Sequence, residues 1–101
     1  MRKILIADDE HKIVMTLEYT FRKNGYEVFI ARDGSEVLEL LKEEIPDVIL
    51  LDVMMPNVDG YTTIQEIKKQ ENLKNCKVVF LSAKTNPADI EKGLKLGADA
   101  Y

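Results

Sequence analysis

The chain has 101 residues, of which 46% are hydrophobic and 32% charged, and a formal net charge of −4 at pH 7. This length suits a single domain with one modest core, and the composition excludes a disordered or fibrous protein. The negative charge disfavours direct nucleic-acid binding by this segment, because phosphates would be repelled.

Apolar runs of strand length recur along the chain and predict four β-strands. Most of these runs are continuously apolar rather than alternating, which is typical of strands covered on both faces. The predicted strands span residues 3–7, 27–31, 47–51 and 77–82.

Segments with helical periodicity fill the intervals between the strands. The first helix is predicted over residues 10–24 and ends at Asn24-Gly25, a favourable C-cap pair. Its apolar stripe is expected to consist of Ile13, Leu17 and Phe21, with Val14 beside them. The later helices are predicted over residues 34–44, 60–70 and from Asn86-Pro87 to Gly97.

This alternation of strands and helices predicts an α/β fold with a doubly wound parallel sheet and helices on both faces. Functional sites in such sheets lie beyond the carboxyl ends of the strands. The residues that directly follow each strand are therefore the candidates for a site.

Acidic residues follow two of the predicted strands. Asp8, Asp9 and Glu10 come after the first strand, and Asp52 comes after the third. If these strands are neighbours, Asp8, Asp9 and Asp52 converge at one edge of the sheet, where a divalent cation would relieve their repulsion. Mg²⁺ prefers such oxygen ligands. The alternative interpretation is that Asp9 and Glu10 are ordinary acids in the first turn of a helix.

The segment after Asp52 has the residues of a shaped turn. Pro56 fixes one φ angle, and Gly60 permits a positive φ angle. We therefore expect Asp52 to lie on a firm strand end with a defined loop around it.

Four signatures together resemble a receiver domain of the bacterial two-component response regulators, a family with a flavodoxin-like fold. They are the pair Asp8-Asp9, the run DVMMPNVDG that begins at Asp52, LSA at 81–83 and GADAY at the end of the chain. The resemblance covers essentially the whole sequence, and its order and spacing are specific.

The resemblance implies a role in two-component, phosphorelay signal transduction. Asp52 would accept a phosphoryl group from a sensor histidine kinase or a phosphotransfer protein, and the resulting switch would control an effector. Mg²⁺ would bind directly to Asp9, Asp52 and the backbone carbonyl of Met54, while Asp8 would act largely through bound water. Ser82 would contact the phosphoryl group, and Tyr101 would be a switch aromatic.

The resemblance also implies that the chain is not a conventional enzyme. It would catalyse only its own phosphotransfer and a slow self-dephosphorylation. The family carries a lysine three residues beyond the switch aromatic, and this sequence stops at Tyr101. We therefore expect residues 1–101 to be a C-terminally incomplete receiver that lacks most of strand 5 and helix 5, with slowed phosphotransfer and an uncovered sheet face that favours self-association.

Three alternatives remain at this point. A phosphorylation-independent pseudo-receiver that serves as a docking module is compatible with the absent lysine. A Mg²⁺-dependent phosphatase would need a second acid two residues after its nucleophile, and a flavin or nucleotide binder would need a Gly/Ser/Thr-rich loop after the first strand. The sequence also predicts a cytoplasmic protein without a membrane segment, because no apolar run is long enough and the lone Cys76 can form no internal disulfide.

Overall fold

The computed structural model describes residues 2–81 and 87–101. Within these residues, strands and helices alternate in the predicted order. The elements are β1 (Lys3–Ala7), α1 (His11–Lys23), β2 (Glu27–Ala31), α2 (Gly34–Leu40), β3 (Val48–Asp52), α3 (Gly60–Lys68), a 3₁₀ helix (Glu71–Leu73), β4 (Lys77–Leu81) and α4 (Pro87–Lys95). The predicted cap residue Asn86 lies outside the described residues.

Within residues 2–81 and 87–101, no helix is long and apolar enough to span a membrane.

The strands form one parallel sheet in the order β2-β1-β3-β4. After α4, the chain returns to the sheet beside β4. Phe80 N donates to Ala100 O at 3.1 Å, and Asp99 N donates to Val78 O at 2.8 Å. This order, with crossovers through helices, confirms the predicted doubly wound α/β fold of the flavodoxin-like type.

Each face of the sheet is packed against helices. Leu5, Ile49 and Val78 belong to the larger core, which lies under α2 and α3. Ile4 and Leu50 belong to the smaller core on the opposite face, under α1. Burial on both faces explains why the strand sequences are continuously apolar.

The residues of α1 that face the sheet are not quite those predicted, because the helix is rotated about its own axis. Ile13 is 39% exposed, whereas Val14 is only 8% exposed. The stripe that faces the sheet is therefore the buried Val14 with the partly buried Leu17 and Phe21, at spacings of three and four residues. The reason is that α1 lies over β1 and β2, so Ile13 faces the β3–β4 side, where it lines an open cavity with Leu81.

The second helix is shorter than predicted and ends at Leu40 rather than at residue 44. The segment after it is tied to the start of β1. Lys3 Nζ lies 2.8 Å from Glu44 Oε2, and Lys3 N donates to Asp47 Oδ2 at 2.8 Å. These contacts draw the chain from α2 toward the sheet, where Val48 begins β3.

The different burial of two adjacent α1 residues leads to a prediction about stability. Val14→Ala should lower the free energy of unfolding by about 2 kcal/mol, because it removes buried methyl groups and leaves a cavity. Ile13→Ala should lower it by less than about 1 kcal/mol, although it removes a larger side chain. Both changes replace a β-branched residue by alanine in the same helix, so the helix propensity gained is similar. Urea unfolding measures both values, and an equal or larger loss for Ile13→Ala would contradict the observed orientation of α1.

Candidate metal centre

Three carboxylates meet at the carboxyl end of the sheet. In the ladders of β1, Ala7 pairs with Leu51 of β3, so Asp8 and Asp52 continue side by side at the ends of two adjacent strands. One carboxylate oxygen from each of Asp8, Asp9 and Asp52 lies within 4.8 Å of the others. The predicted convergence of these three residues is therefore present in the structure.

Asp8 is held by the strand and the turn that it joins. Its side chain is almost fully buried, with 5% exposure. Asp8 N donates to Ala31 O at 3.1 Å, and Asp8 Oδ1 accepts from Glu10 N at 2.8 Å. This bond closes the turn that leads into α1, which begins at His11. Glu10 is the N-cap residue of α1, which agrees with the alternative interpretation of Glu10 as an acid at the start of a helix, whereas Asp9 precedes the cap and belongs to the carboxylate cluster.

Asp52 is half-buried at the end of β3. Burial raises the pKa of its carboxyl above the usual value, and the charges of Asp8 and Asp9 raise it further. The N–H of Met54 acts in the opposite direction, because it donates to Asp52 Oδ1 at 3.1 Å and stabilises the ionised form. A cation among these carboxylates would favour the ionised form of Asp52.

The donor set matches a hard divalent cation such as Mg²⁺. It consists of carboxylate oxygens at the carboxyl ends of β1 and β3, and these residues line an open cavity together with Met54. The part assigned to the Met54 carbonyl stays a prediction. Ser82, the predicted phosphoryl contact, lies outside the described residues.

The loop after Asp52 is firm, but its glycine has a different role from the one predicted. Gly60 does not have a positive φ angle; Asn57 does, with φ 64°. Gly60 N donates to Val53 O at 3.0 Å, and a Cβ atom on Gly60 would collide with Asp52 O. A glycine is therefore needed because the start of α3 presses against the backbone of Asp52.

A second set of contacts, which was not predicted from the sequence, braces this loop from α2. Asn57 Nδ2 donates to Asp33 Oδ2 at 2.8 Å, and Gly34 N donates to Val58 O at 3.0 Å. Asp33 also caps α2 by accepting from Glu36 N at 2.9 Å. The Glu36 N–H and then the Asn57 amide lower the pKa of Asp33. One sequence feature could have indicated these helix starts. The dipeptide Asp-Gly stands at 33–34 and at 59–60, where α2 and α3 begin, and Asp is a favoured N-cap residue.

Tyr101, the predicted switch aromatic, packs inside the domain. Its ring lies 5.7 Å from that of Phe80, and a Cβ atom on Gly93 of α4 would lie 2.8 Å from Tyr101 Cδ2. The Tyr101 hydroxyl is buried and has no hydrogen-bond partner within residues 2–81 and 87–101. The structure thus places Tyr101 against β4 and α4, and its role as a switch stays a prediction.

Comparisons with known proteins agree with this geometry. The family model of the response regulator receiver domain matches residues 4–101. The chain is similar to the chemotaxis response regulator CheY4 of Vibrio cholerae, with 32% identity and a TM-score of 0.93 over 99% of this chain and 83% of the other. It is also similar to the receiver domain of the Francisella response regulator 1452, with 37% identity and a TM-score of 0.89 over 98% and 80%.

A third similar structure is a response regulator protein from Burkholderia pseudomallei with a phosphorylated aspartic acid, a calcium ion and citrate. Its identity to this chain is 25% and the TM-score is 0.91, over all of this chain and 58% of the other.

The close approach of Gly60 to Asp52 leads to a prediction. Gly60→Ala should lower the free energy of unfolding by about 2 kcal/mol or more, because the new Cβ collides with backbone rather than with a movable side chain. Gly25→Ala is the control, since its Cβ would have nothing within 4 Å and only its φ of 88° is unfavourable. We expect about 1 kcal/mol for the control. Equal losses in denaturant unfolding would contradict the steric role of Gly60.

The crowding of the carboxylates leads to a second prediction. The pKa of Asp52 is raised in the folded chain, so its ionised form opposes folding at neutral pH and this penalty disappears as the pH falls through the raised pKa. Without Mg²⁺ at pH 7, Asp52→Asn should therefore increase the free energy of unfolding, by less than about 1 kcal/mol because solvent screens the site. The increase should shrink in acid.

Thermal unfolding with and without Mg²⁺ tests both parts of this prediction. Mg²⁺ should stabilise the wild-type chain but add much less stability to Asp52→Asn. Glu43→Gln removes the same charge from an exposed position and serves as the control. A loss of stability in Asp52→Asn, or an undiminished response to Mg²⁺, would contradict the proposed electrostatics.

Proposed function

This chain belongs to the response regulator receiver domain family, and we propose that Asp52 is its phosphoacceptor. Receiver domains are switches of two-component signal transduction rather than conventional enzymes, and they generally bind Mg²⁺ in an acidic pocket. The observation that carries the proposal is the convergence of Asp8 and Asp9 on the half-buried Asp52. We take residues 1–101 as belonging to one receiver domain.

The carboxylates would hold the metal and the acceptor in fixed positions. Asp9, Asp52 and the carbonyl of Met54 would bind Mg²⁺, with Asp8 acting largely through water. When bound, Mg²⁺ neutralises charge on the oxygens of the transferred phosphoryl group. The turn at Asp8 and the braced loop after Asp52 keep these ligands in place before the metal arrives.

Asp52 itself would be the nucleophile. Its Oδ1 accepts the Met54 N–H, which orients the carboxylate, so we assign the attack to Oδ2. The bond from Oδ2 to phosphorus would form as the bond from phosphorus to the imidazole nitrogen of the donor breaks. The site needs in-line positioning and charge neutralisation more than it needs acid–base groups. The phosphorylated aspartic acid of the similar Burkholderia pseudomallei structure supports this chemistry.

The partners proposed for this site follow from the same chemistry. The donor would be a sensor histidine kinase or a phosphotransfer protein, and Ser82 and Tyr101 would pass the change at Asp52 to an effector. Self-association through the sheet face shared with α1 stays a prediction. A cytoplasmic location and the absence of nucleic-acid or membrane binding by this segment also stay predictions.

Acetyl phosphate with Mg²⁺, followed by intact-protein mass spectrometry, tests the function. We expect one phosphoryl group per wild-type chain, and none when Mg²⁺ is chelated or when Asp52→Asn is used. Asp47→Asn is the matched control. Asp47 comes directly before β3, and Asp52 is the last residue of that strand, so the two aspartates lie at opposite ends of it. It should be phosphorylated like the wild type. Addition that survives Asp52→Asn would overturn the assignment, and no addition to the wild type would favour the phosphorylation-independent docking module.

A further inference from the structure

Lys92 of α4 is held in place by an aromatic ring next to the acidic cluster. Its Nζ atom lies 4.3 Å from the ring centroid of Tyr61, a distance at which the cation and the ring attract each other. The other lysine near the end of α4, Lys95, instead pairs with Glu91 on the same helix at 2.9 Å. The Lys92 ammonium therefore interacts with a ring of α3, whereas the Lys95 ammonium forms an ion pair within α4.

The ring that holds Lys92 is buried and has two further contacts of its own. Tyr61 is 7% exposed and its hydroxyl donates to Asp89 O at 3.3 Å. Phe80 of β4 packs edge-on against it, with the ring centroids 5.6 Å apart. Burial, followed by the neighbouring Tyr101 phenol, raises the pKa of Tyr61 to about 12. A ring fixed in this way restricts where the Lys92 ammonium can lie.

The position of this ring is tied to the acceptor. Tyr61 directly follows Gly60, whose backbone lies against Asp52 and donates to Val53 O at 3.0 Å. Lys92 and Tyr61 line a cavity of about 520 Å³ together with Asp9, Met54 and Asp59. This cavity therefore opens beside the acidic cluster, and the ammonium of Lys92, which lies over the Tyr61 ring, forms part of its wall.

An anionic phosphodonor meets an electrostatic obstacle at this site. The chain carries a net charge of −4, and Asp8, Asp9 and Asp52 stand together at the point of transfer. Asp9 and Asp59 also face the cavity that Lys92 lines. A cation within such a cavity raises the local concentration of an approaching anion, and this effect weakens as salt is added.

We propose that Lys92, held by Tyr61, is a specificity-determining cation that draws anionic phosphodonors into the cavity beside Asp9. The proposal rests on the proposed function and names the chemistry of the donor, which is a phosphorylated anion whose phosphoryl group is transferred to Asp52. Lys92 guides the donor and Tyr61 positions Lys92, whereas the transfer itself belongs to Asp52.

The first test is a kinetic comparison with acetyl phosphate as donor, at saturating Mg²⁺. Lys92→Met keeps most of the aliphatic chain and removes the charge, so KM should rise about three- to tenfold with little change in the maximal rate. Tyr61→Leu should have the same effect because the ammonium loses its support. Lys92→Arg and Tyr61→Phe keep the cation and the ring, and both should stay near the wild type.

Lys95→Met is the matched control, since it removes the same charge from the same helix. Its KM should stay within about twofold of the wild type, and the effect of Lys92→Met should diminish as the ionic strength rises. An equal rise for Lys95→Met, or no recovery in Lys92→Arg, would overturn the role of Lys92. Mg²⁺ affinity, measured by calorimetry, should be unchanged in Lys92→Met, and a comparable loss of Mg²⁺ affinity would also overturn it.

A binding experiment without phosphotransfer separates this inference from the proposed function. Inorganic phosphate is titrated in the presence of Mg²⁺, and the backbone amide resonances of Tyr61 and Lys92 are followed by NMR. Wild-type chain should show saturable shifts that Lys92→Met weakens about three- to tenfold. If acetyl phosphate leaves the wild type unphosphorylated and these shifts persist, phosphorylation of Asp52 is rejected and the anion site is kept. Normal phosphorylation with phosphate binding unaltered by Lys92→Met would reject the anion site alone.

Discussion

The pairing of β1 with β3 is the constraint on which the rest of the site depends. The register that sets Ala7 opposite Leu51 brings Asp8 and Asp52 together at the strand ends, and Asp9 is the next residue after Asp8. Charges so close together repel one another, and partial burial raises the pKa of Asp52 in addition. The well-packed strands hold the carboxylates together despite this repulsion, which makes the cluster receptive to a divalent cation.

The loops around the cluster limit how far the carboxylates can separate. Asp8 closes its own turn by accepting from Glu10 N, and Gly60 keeps the start of α3 against the backbone of Asp52. Asn57 links the same loop to the cap of α2 through Asp33. The loops at the starts of α1, α2 and α3 therefore all support the site.

The fold and the acidic cluster were predictable because they depend on local patterns and on one rule of topology. Continuous apolar runs identify strands buried on both faces, and the residues after parallel strands lie together at one edge of the sheet. Details that depend on how elements are oriented were not predictable. The stripe of α1 is centred on Val14 rather than on Ile13, and the positive φ of the loop belongs to Asn57 rather than to Gly60.

The order of the elements, the family and the identity of the acidic residues can be inferred from the amino-acid sequence alone, because each is encoded in neighbouring positions along the chain. Which residues meet across elements is known only from the three-dimensional packing. The contact of Asn57 with Asp33 spans 24 positions, and the ring of Tyr61 receives Lys92 from a different helix. Such pairs form where packing brings two helices or loops together, and no periodicity in either segment records the distance or direction of its partner.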